Sequence, residues 1–124
     1  MVVDPCVPVS WGELLDKISI LEIKRQRLRA PEAIATVERE LAALLPFVPP
    51  GLEALRAALA AVNLRLWDIE DAIRAKEAAK DFGPGFVALA RSVYRENDDR
   101  GRIKQSINAN LGGALSEEKQ YPAY

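Results

Sequence analysis

From Leu52 onward, Leu55, Leu59, Val62, Leu66, Ile69 and Ile73 recur at alternating spacings of three and four. That period belongs to an amphipathic helix with one buried stripe, and it predicts helix from Leu52 to about Lys80. Asp81-Phe82-Gly83-Pro84-Gly85 then supplies a helix stop and a turn. A second stripe opens with Phe86, Leu89, Ala90 and Val93 and closes with Ile103, Ile107 and Leu111, which predicts helix from Phe86 to Leu111. Gly112-Gly113 ends it. The two long helices are expected to pair as an antiparallel hairpin folded about Gly83-Pro84.

The first half of the chain carries two shorter patterns. Residues 1–9 read as an extended lead-in, because Pro5 and Pro8 bias their predecessors away from helix. Ser10 and Glu13 have capping-box spacing, with Val9 and Leu14 placed as a hydrophobic staple. The helix that follows is expected from Trp11 to Arg29, with Trp11, Leu14, Ile18, Leu21 and Leu28 inward. Arg25 falls inside that stripe, while Ile20 and Ile23 form a smaller apolar patch on another side, so this helix should touch two neighbours. A second short helix is expected from Pro31 to Leu45, with Ile34, Val37, Leu41, Leu44 and Leu45 inward, and Pro46 ends it. PFVPPG (Pro46 to Gly51) is a stiff connector, too short to link domains. These elements predict an all-α, four-helix antiparallel bundle in a single domain, residues 1–124, with a tail at 112–124 packing back through Tyr121 and Tyr124. Two short helices cannot cover the long hairpin. The uncovered apolar remainder, with Ile20 and Ile23, predicts a homodimer formed by helix packing.

Polar residues interrupt both long stripes. Asn63, Trp67, Glu70 and Arg74 form a shoulder on the third helix, and Asn97, Arg100 and Lys104 replace the apolar stripe of the fourth for two turns. A hairpin folded about Gly83-Pro84 brings Glu70 level with Asn97, Trp67 with Arg100 and Asn63 with Lys104. Three readings follow. The groups satisfy one another, with a Glu70–Arg100 ion pair under Trp67, as register-fixing networks do. Alternatively, Arg25, Arg74, Arg100 and Lys104 converge on a small anionic ligand, since guanidinium groups beside an aromatic wall suit carboxylate or phosphate. In the third reading, carboxylates three apart (Asp68 and Asp71, or Glu13 and Asp16) offer oxygen ligands to Mg²⁺, as in helical nucleotide pyrophosphohydrolases.

Composition narrows these choices. Seventeen basic residues balance eighteen acidic ones for a net charge of −1, without a long basic run, so a broad nucleic-acid surface is not expected. The chain has no histidine, which removes the usual general base and the commonest metal ligand. Cys6 is the one cysteine, which excludes an internal disulfide and reads as an inert packed thiol. The N-terminal segment is too short and proline-broken for a signal h-region, and the richest apolar stretch, residues 41–62, is interrupted by prolines, Glu53 and Arg56. A soluble cytoplasmic chain without membrane or nucleic-acid partners is expected.

Three stretches together carry a resemblance: VPVSWGELLDKISILEIKRQRL (Val7 to Leu28), LWDIEDAIRAKEAAKDFGPGFVALARSVYRENDDRGRIKQSIN (Leu66 to Asn108) and EEKQYPAY (Glu117 to Tyr124). They resemble a small bacterial protein family classed as a domain of unknown function, which implies a bacterial source and a compact helical protein. It implies no activity, cofactor or catalytic residue. The sequence therefore predicts a non-enzymatic binding or interaction module with a small-anion pocket between helices, holding no cofactor or metal. Its eight candidate binding residues are Arg25, Asn63, Trp67, Glu70, Arg74, Asn97, Arg100 and Lys104. The alternative is a Mg²⁺-dependent nucleotide or phosphate-ester hydrolase.

Overall fold

In the computed structural model, residues 2–120 and 122–124 are described, and they form four α-helices with no strand among them. The helices are α1 (Trp11–Arg27), α2 (Pro31–Leu44), α3 (Glu53–Ala78) and α4 (Pro84–Leu111), with a 3₁₀ turn at Leu45–Phe47 after α2. The all-α bundle with a long α3–α4 hairpin is thus the observed architecture. Tyr121 lies outside the described residues, so its expected packing is not described. Tyr124 does pack back: its ring meets Tyr94 edge-on at 5.1 Å and its hydroxyl donates to Asp98.

α1 is the central element, packing against α2, α3 and α4. Leu15, Ile18 and Leu21 of α1 enter one core with Val37 and Leu41 of α2, Leu52, Leu59 and Val62 of the α3 region, and Ile107 of α4. The two-sided character read for α1 is observed, and the hairpin of the same chain is its second neighbour. Ile23 is buried by it, so Ile23 is not available to another subunit as the sequence suggested. Other differences are local. α1 stops two residues early, at the approach to Pro31; Leu45 turns out to solvent because the 3₁₀ turn rotates it off the stripe of α2. Cys6 is exposed, since the extended lead-in is exposed throughout residues 2–9.

The start of α1 is seated by two caps. Ser10 Oγ accepts from the Glu13 N–H at 3.2 Å, as the capping-box spacing required. The Gly12 N–H, another donor without an intrahelical acceptor, is satisfied from α4, where Asn108 Oδ1 accepts it at 2.7 Å. The helices approach so closely here that a Cβ on Gly12 would stand 2.7 Å from the Lys104 carbonyl oxygen.

Only the first part of α3 is covered. Its buried residues are Leu59, Val62 and Asn63, and those of α4 are Lys104, Ile107 and Asn108. No residue from Leu64 to Ile103 is buried. Leu66, Ile69, Ile73, Phe86, Leu89 and Val93 are half-buried between two helices only, forming a projecting arm. The uncovered remainder expected from helix lengths is this arm. Its tip is earlier in the chain than Gly83-Pro84: Lys80 takes the left-handed conformation (φ 55°) and ends α3, whereas Gly83 and Pro84 already cap and open α4.

Gly12→Ala tests the close approach. A helical Gly→Ala change normally gains up to about 1 kcal/mol. Here the obstacle is helix backbone that cannot swing aside, and overpacking costs about 1–3 kcal/mol. Net destabilisation is expected in urea unfolding; a stabilised variant contradicts the contact.

Candidate functional site

With the reversal centred on Asp81, residues equidistant from it share a level. Arg65 Nε donates to Glu96 at 2.9 Å, and the Lys76 side chain lies against Gly85, both within one residue of this register. It is about a turn and a half from the register expected about Gly83-Pro84. Consequently Arg100 comes level with Val62 and Asn63, and Glu70 with Ser92.

That shift changes the partner of Arg100. The Glu70–Arg100 pair is not formed. Arg100 instead donates from Nε to Asp16 Oδ1 at 2.9 Å and from Nη2 to Asp16 Oδ2, a two-pronged pair. Asn63 Nδ2 donates to the same Asp16 Oδ1 at 3.0 Å and to Ser19 Oγ at 3.1 Å. Asp16, Ser19 and Asn63 are all buried. The Asp16 carboxylate thereby ties α1 to α3 and α4 at one level, and this pairing raises the Arg100 pKa above its ordinary value. Glu70 lies on the surface 4.0 Å from Arg74, one helical turn along.

The sequence-predicted residues divide into three groups. Asn63, Trp67, Glu70, Arg74 and Arg100 line one groove of about 590 Å³, together with Ile20, Leu66 and Asp71. Asn97 lines the next groove, about 700 Å³, with Val93, Tyr94 and the tail residues Pro122, Ala123 and Tyr124; Arg100 lines both, and its Nη1 donates to Asn97 Oδ1 at 3.4 Å. The two grooves form a trough along one face of the arm, closed at its root by Ile20 of α1. Arg25 and Lys104 do not join it. Arg25 is exposed in the last turn of α1, away from the trough. Lys104 is buried beside the start of α1, with Nζ 2.6 Å from Glu117 of the tail and 3.9 Å from Glu13.

These placements define the electrostatics. The four cations do not converge: Arg100 is held by Asp16, Lys104 by Glu117, Arg74 stands beside Glu70, and Arg25 is elsewhere. The acidic pairs are dispersed as well. Asp16 is committed to Arg100 and Asn63, Asp68 accepts from Arg27 at 3.0 Å, and Asp71 stays on the trough. Among the described residues, no three acidic or cysteine side chains gather as metal ligands. The trough offers an apolar floor, an aromatic wall at each side, and a rim carrying both signs of charge.

Sequence reading missed Asp16, Ser19, Gly12 and Asn108 as a set. Their signal was present: Gly12, Asp16, Ser19 and Ile23 repeat at spacings of four and three on the side of α1 that also carries Ile20. A second buried face was legible, and its polar members are what fill it.

The fold and the trough define a small all-α bundle bearing a projecting helical hairpin. The chain belongs to the family of unknown function DUF6165, whose model matches residues 6–123. It matches no curated protein and no solved structure.

Two outcomes check the site. Glu70→Ala should change unfolding free energy by less than about 0.5 kcal/mol, as for an exposed pair; a loss of several kcal/mol restores the Glu70–Arg100 network. Lys104 holds the Glu117 carboxyl below its ordinary pKa. A depressed carboxyl contributes stability above its unfolded pKa, near 4.3, and loses it as pH falls through the lower folded value. Proteolytic nicking of the tail should therefore increase only below about pH 4.3, and Glu117→Gln should show the acid-like rate at neutral pH. Equal rates for Glu117→Gln and wild type at neutral pH contradict the Lys104 anchor.

Proposed function

We propose that this protein is a non-enzymatic interaction module whose docking element is the trough on the α3–α4 arm. The observation that carries this reading is that neither long helix has a buried residue between Leu64 and Ile103, although apolar and aromatic residues recur along that stretch. A two-helix arm half-buries its apolar side chains, and a third element laid along it completes their burial. Exposed aromatic residues beside an apolar groove are the usual anchors of such contacts.

The trough favours a partner with an apolar stripe and mixed charge over a small free anion, because its cations stand beside carboxylates. The reading includes a bacterial source, taken from the stretches that carry the family resemblance, and a cytoplasmic setting, which the single cysteine fits. No helix among the described residues is long and apolar enough to cross a membrane.

A thermal-shift panel tests the reading, using inorganic phosphate, a sugar phosphate and a nucleoside triphosphate, each with and without Mg²⁺. No shift that Trp67→Ala abolishes is expected. Stabilisation requiring Mg²⁺ and nucleotide together, and lost in Asp71→Asn, overturns it in favour of the hydrolase. Stabilisation by phosphate alone, lost in Arg74→Met, overturns it in favour of an anion site.

A further inference from the structure

We infer that the partner of the trough is a second copy of this chain, with the two arms packed face to face and antiparallel about a two-fold axis. This rests on the docking reading above and names its occupant. The first support is length. The trough face runs from Ile20 at the root to the tip of the hairpin, with Tyr124 of the tail seated on Tyr94 along its α4 side, and an antiparallel second arm spans that length and brings its own tip against Ile20. α1 stands on that same face at the root, so parallel arms would drive α1 against its copy. The tip carries exposed apolar surface for this contact, with Phe82 52 % exposed.

Charge gives the second support. In an isologous contact, residue i meets j and j meets i. Glu70 and Arg74 are four apart on α3, so an axis at the level of Ala72 sets each Glu70 against the partner's Arg74, twice over. Opposite charges in that arrangement fix register and reject a slipped one.

The same axis makes an independent requirement of α4. Ala72 and Ala90 are equidistant from Asp81, so the axis crosses α4 at Ala90. A small side chain stands where the two backbones come closest. About Ala90, Phe86 faces the partner's Tyr94, and aromatic pairs favour such contacts. Val87 and Val93 flank them. α3 and α4 thus select the same axis by different chemistry. About the axis at Ala72 the face reaches nine residues to Asp81 and as far back toward the root, about 27 Å, and it is two helices wide, roughly 500 Å² in projection on each copy, which lies near the lower bound for a specific interface and predicts a reversible dimer.

Disulfide trapping tests this in a Cys6→Ser background, which removes the exposed native thiol. Ala90→Cys should form a covalent dimer under mild oxidation, while Ala88→Cys, on the opposite side of α4, should not. Sedimentation of the unmodified chain should show monomer and dimer in exchange. Glu70→Arg and Arg74→Glu should each shift it to monomer, and the double exchange should restore the dimer. A chain that stays monomeric at high concentration, or equal trapping at both positions, overturns the inference. The panel of phosphate, sugar phosphate and nucleotide separates the two claims. A monomer indifferent to that panel refutes only the second copy, whereas a trough-dependent ligand shift refutes the docking reading itself.

Discussion

The bundle depends on one carboxylate. Asp16 is buried on α1 and receives hydrogen bonds from Asn63 of α3 and from two nitrogens of Arg100 on α4, so three helices are fixed at one level by a single group. A buried charge is tolerated only when it is paired and hydrogen-bonded. In the observed alignment the hairpin presents Asp16 with both an amide, from Asn63, and a guanidinium, from Arg100. Apolar packing alone is permissive, because Leu15, Ile18 and Leu21 could slide by a turn against similar stripes. The Asp16 clamp supplies the specificity that hydrophobic burial lacks.

From that clamp the rest of the shape follows. Gly12, one turn before Asp16, lets α1 lie directly on the α4 backbone. Ser19, nearly a turn after it, takes the second hydrogen bond of Asn63. With α1 fixed there, it covers the hairpin from its open end up to about the level of Arg100, and everything beyond is left as an arm. The exposed face is therefore a geometric result of where the clamp sits, and Ile20 marks the boundary between covered and uncovered surface.

Most of the fold was legible in the sequence, because helix periodicity, proline positions and glycine stops are local signals. The candidate site was legible in part. Asn63, Trp67, Glu70, Arg74 and Arg100 do share one groove, since spacing along a helix fixes a face whatever the neighbouring helix does. Their pairings were not legible. Register between helices depends on where the chain turns, and Lys80 in a left-handed conformation moved that point ahead of the obvious Gly83-Pro84. A few residues of displacement exchanged Glu70 for Asp16 as the partner of Arg100. The surroundings of Lys104 were hidden for a related reason: α1 packs on it at Gly12, and its ammonium pairs with Glu117 of the tail, non-local contacts without periodic trace.

The most direct measurement of the account is a double-mutant cycle on Asp16 and Arg100, using Asp16→Asn and Arg100→Met in urea unfolding. A two-pronged, largely buried pair that sets the alignment of three helices predicts a coupling energy of about 2 kcal/mol or more, with each single change strongly destabilising. Additive effects, with coupling below about 0.5 kcal/mol, would contradict the claim that this clamp holds the bundle in register.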